Sequence, residues 1–414
     1  MITTLLELVR FRRGVSYRSE DLQEGAATLL GLRSIVSGSR FAVATEGLPY
    51  DGPFKPENVA TPDSLLIAIT DLTQTGEVIG TAALAPPNRG LDLASLDVVI
   101  ADVNPDLVDR RWLLYRLRCS DYKAFVRGAA TGTTVRHLSP QLLGRFVLNV
   151  PELSVQKATA DFLGALDDKI ELNLRLSTTL EDLARAHFAS TFGLLDPGRL
   201  PVGWTVATLG EHVELTRGLS YNGAGLADDG IPLHNLDSIA NAGGYSYKGL
   251  KHYRGDYKPR HIARGGDLLV VNTDLTWALQ RIAQPAIVPK RFGDLTLFSH
   301  HLYRLRPKPS STLTTTFLYL ALMSPRLRQV IVGYSNGTTV NMLPADSMQR
   351  PRVAVPPAEL VQRFDRTLVP LFSEKEHLQI ESETLAELRD LLIPRLMSGQ
   401  VGPVESWTVA AEAL

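Results

Sequence analysis

The 414-residue sequence contains a single cysteine, Cys119. That excludes a disulfide framework and any multi-cysteine metal site, and it fits a reducing compartment. No apolar run approaches the length of a transmembrane helix. The opening stretch MITTLLELVRFRRG has only a short apolar run, with its basic residues after it, which is not the order of a signal peptide. A soluble, cytoplasmic protein with no membrane partner is expected.

Catalytic motifs are scarce as well. The nine histidines show no metal-ligand spacing. The adjacent His300 and His301 are expected on a strand, one facing in and one out. There is no glycine loop followed by Lys-Ser/Thr to cradle a phosphate, and no Gly-x-Ser-x-Gly. Ala85–Asn88, APPN, lacks the aromatic and the leading polar residue of an amino-methyltransferase loop and reads as a turn. Asp106 with Asp121 and Lys123 could be forced into a nuclease-like set, with carboxylates for a metal and a lysine near the phosphate. The matching segment of the second half reads Pro325-Arg326-Leu327, so the pattern is not repeated.

What the sequence has is a duplication. ELVRFRRGVSY (Glu7 to Tyr17) matches EHVELTRGLSY (Glu211 to Tyr221). LLIAITDLT (Leu65 to Thr73) matches LLVVNTDLT (Leu268 to Thr276), and Leu114-Tyr115 matches Leu318-Tyr319. TGTTV (Thr131 to Val135) matches NGTTV (Asn336 to Val340), and NVPEL at Asn149 answers AVPPAEL at Ala354. The matches are collinear, and the offset drifts by only a residue or two.

Each copy begins with short β-branched runs broken by turns, with a few short helices such as TTFLYLALMSPRLRQVI. Each then changes period. Val361, Phe364, Leu368, Leu371, Leu378, Leu385 and Leu392 recur at spacings of three, four and seven, the seam of a coiled coil, with Lys375 and Ser382 as polar interruptions. Leu163, Leu166, Ile170, Leu174, Leu180, Leu183 and Phe188 form a looser version. Pro151 and Pro356-Pro357 mark the helix starts, and Pro370 and Pro394 predict a kink. Helices of roughly 30 residues, about 45 Å long, are expected to pair antiparallel. The competing reading is that each helix packs on its own domain.

Charge is uneven along the chain. Lys+Arg against Asp+Glu is 16 to 16 over 1–150, 4 to 7 over 151–193, 18 to 11 over 194–355, and 5 to 10 over 356–414. A polyanion suits the basic segment, while the acidic segments read as solvated helices. Tyr245 to Asp267 concentrates Lys248, Lys251, Arg254, Lys258, Arg260 and Arg264 among Tyr247, Tyr253 and Tyr257, a pattern suited to phosphates and sugars or bases. The competing reading is a solvated basic loop. Residues 36–60, the corresponding stretch of the first copy, share almost nothing with residues 240–263 except Lys55-Pro56 against Lys258-Pro259.

Within the paired motifs, Arg13, Ser16 and Tyr17, with Arg217, Ser220 and Tyr221, can donate to DNA phosphates. Gly14 and Gly218 can equally mark a turn with positive φ. Thr133, Thr134, Thr338 and Thr339, with Thr273, Thr276 and Asn341, complete the candidate DNA contacts, although β-propensity also explains threonine pairs.

These features resemble the specificity (S) subunit of type I restriction–modification systems over residues 5 to 401. The resemblance rests on the tandem plan, on LPVGWTVATLGEHVELTRG (Leu200 to Gly218), and on NGTTVNMLP followed by VAVPPAELVQRF and a closing helix ending LIPRLMSGQV. The first copy lacks the Pro-x-Gly-Trp lead-in. The resemblance implies an α+β fold: two tandem target-recognition domains of mixed α/β with β-rich cores, separated by two long helices that form an antiparallel coiled coil. The corresponding segments are 1–150, 151–193, 194–355, 356–399 and a tail, 400–414. It implies a non-catalytic subunit that reads a bipartite, asymmetric site in double-stranded DNA, one half per domain. Two methylation (M) subunits would dock on the helices, with restriction (R) subunits added for cleavage. S-adenosylmethionine, ATP and Mg²⁺ would belong to those partners, none to this chain. A 45 Å spacer would set the half-sites about one B-DNA turn apart. A stand-alone nuclease or methyltransferase, and a repeat scaffold without DNA specificity, are the alternatives.

Overall fold

The computed structural model describes residues 1–38, 44, 47–62, 64–73, 75–87, 90–193, 200–274, 279–336, 341–403 and 405–406, with side chains of 36–38 excepted. The chain divides into two compact units, Met1–Arg175 with Leu378–Leu414, and Leu176–His377. Each unit therefore holds one globular domain and one half of each long helix.

In the first unit an antiparallel sheet runs in the order Val9–Arg13, Val98–Val103, Leu65–Ala68, Ala82–Leu84. Leu65–Ala68 is apolar throughout because both of its faces are covered. Leu65, Ile67, Val99 and Ala101 point into one core with Trp112, Leu113 and Phe146, while Leu66, Val98 and Ile100 point into another with Leu30 and Ile35. Successive side chains of a strand alternate faces, so one run serves two cores. A second sheet joins Leu48–Tyr50, Ala27–Leu30, Leu91–Ala94 and Val59–Ala60, with the central pair parallel.

The second unit repeats the plan. Its antiparallel sheet runs Val213–Arg217, Leu302–Pro307, Leu268–Val271, Pro285–Ile287. Leu268 and Val270 face one core, Leu269 and Val271 the other. A five-stranded sheet runs Leu226–Ala227, Lys251–Tyr253, Ile231–His234, Thr296–Phe298, Ile262–Ala263. The segment expected as one short helix forms two, Thr315–Met323 and Pro325–Val332. Ser324 stands between them in an extended conformation, and its hydroxyl caps the second helix, whose first position is Pro325.

The long helices are Leu153–Phe192 and Ala358–Met397, 40 residues each. That is about 60 Å, so the one-turn half-site spacing inferred from 45 Å loses its basis. The second helix runs unbroken through Pro370 and Pro394. Pairing is antiparallel within each unit. Asp167 meets Arg389 and Asn173 meets Glu381 in the first; Glu181 meets Lys375 and His187 stacks on Phe364 in the second. Each helix half also packs on a domain: Phe162, Leu163 and Leu166 cluster with Tyr115, and Phe188 and Phe192 with Phe317. Coiled-coil pairing and docking on a domain thus coexist.

The seam of the first helix differs from the apolar spacing. Leu174 and Leu183 are exposed, whereas Asn173, Ser177, Glu181 and Ala184 are buried. The Pro201–Trp204 lead-in is a turn with Gly203 at φ +84°, and it lays Trp204 against Phe192, ring centroids 6.0 Å apart. Among the described residues, no helix is long and apolar enough to cross a membrane.

Candidate nucleic-acid interface

The Arg-Gly-x-Ser-Tyr motif has the same construction in both domains. After the edge strand ends at Arg13 or Arg217, the chain presses against a neighbouring strand end. Val15 N–H donates to Ala94 O, and Leu219 N–H to Phe298 O, each at 2.7 Å. A Cβ on Gly14 would overlap the Ser95 carbonyl oxygen, and one on Gly218 that of Ser299. Neither glycine has a positive φ. The motif needs glycine for close backbone approach, not for a left-handed turn.

This packing presents the next residues outward. Arg13, Ser16, Arg217 and Ser220 are exposed, and Tyr17 is 36% exposed. Tyr221 is half-buried at the centre of a cluster on the second domain. Lys251 Nζ lies 3.4 Å from the Tyr221 hydroxyl and 5.8 Å over its ring. The ring meets Tyr253 and His300 edge-on, with centroids 6.2 and 6.5 Å away. Arg217 Nε donates to His300 O at 3.3 Å.

His300 and His301 sit in the turn between two strands, both half-buried, with ring centroids 3.9 Å apart. They do not alternate in and out of a strand. Partial burial pushes both pKa values down, and the positive charge of Arg217 adds to this. Each ring therefore favours the neutral state, which offers one donor and one acceptor.

The same positions of the first domain carry different chemistry. Ser95 and Ser299 are equivalent by their bridges to Val15 and Leu219. Leu96 and Asp97 thus stand where the second domain has His300 and His301, and Leu96 is exposed. Tyr50 and Tyr253 are buried equivalents, each donating its hydroxyl to a carbonyl three residues on, Pro53 O and Asp256 O. Leu48 then corresponds to Lys251. The Lys55-Pro56 match with Lys258-Pro259 has the same register, and the buried tyrosine agrees with it.

The basic stretch is mixed. Lys248, Lys251, Arg254, Lys258, Arg260 and Arg264 are all exposed, with Arg254 paired to Asp229. Of the tyrosines only Tyr257 is exposed. Tyr253 is core, and Tyr247 packs on Tyr245 and Phe292 with Arg291 4.2 Å from its ring. The shared Lys-Pro step is a capped turn. Asn58 Oδ1 accepts from Lys55 N–H at 2.8 Å, and His261 Nδ1 accepts from Lys258 N–H at 3.3 Å. The Lys55 and Lys258 side chains stay in solvent, where Lys55 lies 3.9 Å from Glu57.

Thr133 and Thr134 are exposed in a loop that Gly132 opens at φ +103°. Reciprocal bonds between Thr131 and His137, 2.9 and 2.8 Å, close it, and Asn336 and Met342 close its counterpart at the same lengths. Thr276, Thr338 and Thr339 lie outside the described residues. Asn341 is half-buried on a strand opposite Asp274. Thr273 is not a surface donor: it is buried, and its hydroxyl donates to Asn272 Oδ1.

The residue with a role in the Thr-Asp-Leu-Thr motif is its aspartate. Asp71 accepts from the N–H groups of Thr73, Val78 and Ile79 at 2.6–2.9 Å, which shapes the loop they belong to. Burial pulls its pKa up, and the bonds outweigh that, leaving it below the usual carboxylate value. Asp274 accepts from Arg281 N–H at 2.8 Å. The nuclease-like set is not assembled for metal: both Asp121 carboxylate oxygens accept from Arg116.

No family model matches the chain. Among curated proteins it is similar to the type I restriction enzyme HindI specificity subunit of Haemophilus influenzae, 26% identical over 316 residues, spanning 61% of this chain and 69% of that one. It is also similar to the MjaIX specificity subunit of Methanocaldococcus jannaschii, 23% identical over 323 residues, 72% and 70% of the two chains. The fold matches the S subunit of a type I restriction-modification system from M. genitalium, with TM-score 0.59 and 15% identity over 96% of this chain and 95% of that one.

Proposed function

We propose that this chain is the DNA sequence-specificity subunit of a type I restriction–modification complex, a recognition subunit without catalysis of its own. Its relatives by sequence are specificity subunits, and its fold is that of an S subunit. The observation that carries the reading is one scaffold built twice with different exposed chemistry at equivalent points. Lys251, His300 and His301 in one domain answer Leu48, Leu96 and Asp97 in the other. Conserved framing with divergent tips is what reading two unlike half-sites requires, since bases are told apart by donor, acceptor and apolar groups in the groove.

In this reading Arg13, Arg217 and the exposed cations of Tyr245–Asp267 bind phosphates and set register, while the tips read bases. The segments 1–150 and 194–355 act as the two recognition domains, and the long helices set half-site spacing and dock two M subunits. R subunits join for cleavage, and S-adenosylmethionine, ATP and Mg²⁺ act on the partners.

The test is exchange of residues 200–350 for those of a relative, with selection of bound DNA in the presence of M subunit. One half-site changes and the other stays; a change in both halves refutes two independent modules. Removing two turns from both helices shifts the preferred spacing. Methylation or cleavage by the purified chain alone would show it to be an enzyme instead.

A further inference from the structure

The two helix junctions carry buried ion pairs, one per unit. In the first unit Asp167 accepts from Arg389 at 2.5 Å and from the Tyr115 hydroxyl at 2.7 Å, with Arg118 at 3.5 Å. In the second, Glu181 accepts from Lys375 at 2.5 Å and from the Tyr319 hydroxyl at 2.6 Å, with Arg185 at 3.4 Å. Tyr115 and Tyr319 are repeat equivalents. Each domain thus points the same hydroxyl at an acid, and each acid is closed by a base from the facing helix.

The charges themselves do not follow the repeat. The helices start at Leu153 and Ala358, which fixes the register between them. In that register Asp167 corresponds to Phe372, Ile170 to Lys375, Glu181 to Ala386, and Ala184 to Arg389. Every charged member has an uncharged counterpart. Phe372 packs edge-on against Tyr319, centroids 5.6 Å apart, filling the place Asp167 takes beside Tyr115. A symmetric duplication would put the acid on the same side of both junctions. Here both acids lie on the first helix and both bases on the second.

We infer that these four residues form a charge code that makes each helix the partner of the other and not of its own kind. A first helix paired with a second copy of itself would bring Asp167 opposite Ala184, with Glu181 one turn away, and would lose both Arg389 and Lys375. A second helix paired with itself would bury Lys375 and Arg389 with neither Asp167 nor Glu181. Arg118 and Arg185 would remain beside the acids and Asp390 beside Arg389, so pairing of second helices is the more disfavoured. The link between the two junctions has the same logic. Glu381 binds Asn173 at 2.7 Å and Lys169 at 3.2 Å, and in the same register a self-paired second helix would set it against Leu378 and Glu374. Buried ion pairs add little net stability over apolar packing, but an unpaired buried charge is costly, so they act as specifiers. The partner selected is a helix of complementary charge, and the chain's two halves are matched to each other.

The test uses the full chain with a protease site placed between Gly193 and Leu200. The purified protein is cleaved, unfolded, refolded, and its half-chain pairs are counted by native mass spectrometry. The wild type returns pairs of unlike halves almost exclusively. The rewired variant, Glu181→Lys with Lys375→Glu, gives each helix one acid and one base and returns like pairs as well, approaching the statistical mixture. Like pairs at statistical abundance in the wild type overturn the inference, and so does a rewired variant that still forms only unlike pairs. The uncleaved chain supplies a second reading. Glu181→Lys alone and Lys375→Glu alone each lower Tm, and the double variant recovers most of the loss; failure to recover refutes the coupling.

Discussion

Gly218→Ala is the most direct probe of how the Arg-Gly-x-Ser-Tyr motif is built. The added methyl would overlap the carbonyl oxygen of Ser299 and sit 2.6 Å from its carbonyl carbon. The obstacle is backbone in the turn leading to strand Leu302–Pro307, so no side chain can rotate away. Overpacking of this kind costs about 1–3 kcal/mol, and a rigid backbone obstacle places it near about 3. For a unit of this size each kcal/mol lowers Tm by about 2–4 °C, so the second unit should melt about 6–12 °C earlier. Differential scanning calorimetry reads this directly. Gly223→Ala is the control, because a Cβ there meets nothing within 4 Å and the φ is ordinary. Since Arg217 and Tyr221 flank the glycine, DNA affinity should fall along with Tm. A Gly218→Ala protein that melts like the control would refute the claim that close approach is why the motif contains glycine.

Three further outcomes are expected. Lys251→Ala, measured by fluorescence anisotropy in the assembled complex, should reduce the slope of log affinity against log salt by about 0.9 if its ammonium neutralises one phosphate; an unchanged slope would remove Lys251 from the phosphate contacts. His234 is buried with its pKa pushed down to about 4. The unfolded chain takes up a proton near 6.5 and the folded one only near 4, so this group's stabilisation is complete above 6.5 and falls by up to about 3 kcal/mol as pH drops through that window. Urea titrations of His234→Gln should show a weaker acid loss in the second unit, and an identical pH profile would contradict the assignment. Asp71→Asn should cost the first unit about 1–3 kcal/mol by weakening the bonds from Thr73, Val78 and Ile79. Because the folded pKa of Asp71 is lowered, its contribution is present above about 3.9 and fades as pH falls through the folded value; chemical denaturation at pH 7 and pH 3 should show the mutant's deficit shrinking.

The repeat was legible because collinear motifs preserve the framing of each domain: the glycine that admits close approach, the aspartate that shapes a loop, the tyrosine at each helix junction. The long helices were legible through their period. Their contact face was less so, because apolar spacing assigns Leu174 and Leu183 to the seam. The seam is held there by Asn173 and Glu181, whose partners Glu381 and Lys375 lie some 200 positions away and leave no local pattern. The exposed cations of the candidate interface were legible as a basic, aromatic-laced stretch, but not which tyrosines were core. Tyr253 and Tyr257 look alike in sequence, but Tyr253 ends the strand Lys251–Tyr253 with its ring in the core, while Tyr257 lies in the loop beyond it. The His300–His301 turn was read as strand because both its flanks are strands.

The division of each long helix between two units also fixes an order of completion. Residues 1–175 are made well before the segment that completes their unit, which lacks Leu385, Leu388, Arg389 and Leu392 until the whole second domain has been synthesised. At about 5–20 residues per second that wait is on the order of tens of seconds. Throughout it Phe162, Leu166, Ile170 and the Asp167 carboxylate lack their facing helix. A message cut short between Leu378 and Leu385 would therefore yield a product whose second unit is complete and whose first is the unfinished one, marked for recognition by chaperones or proteases through its own uncovered seam.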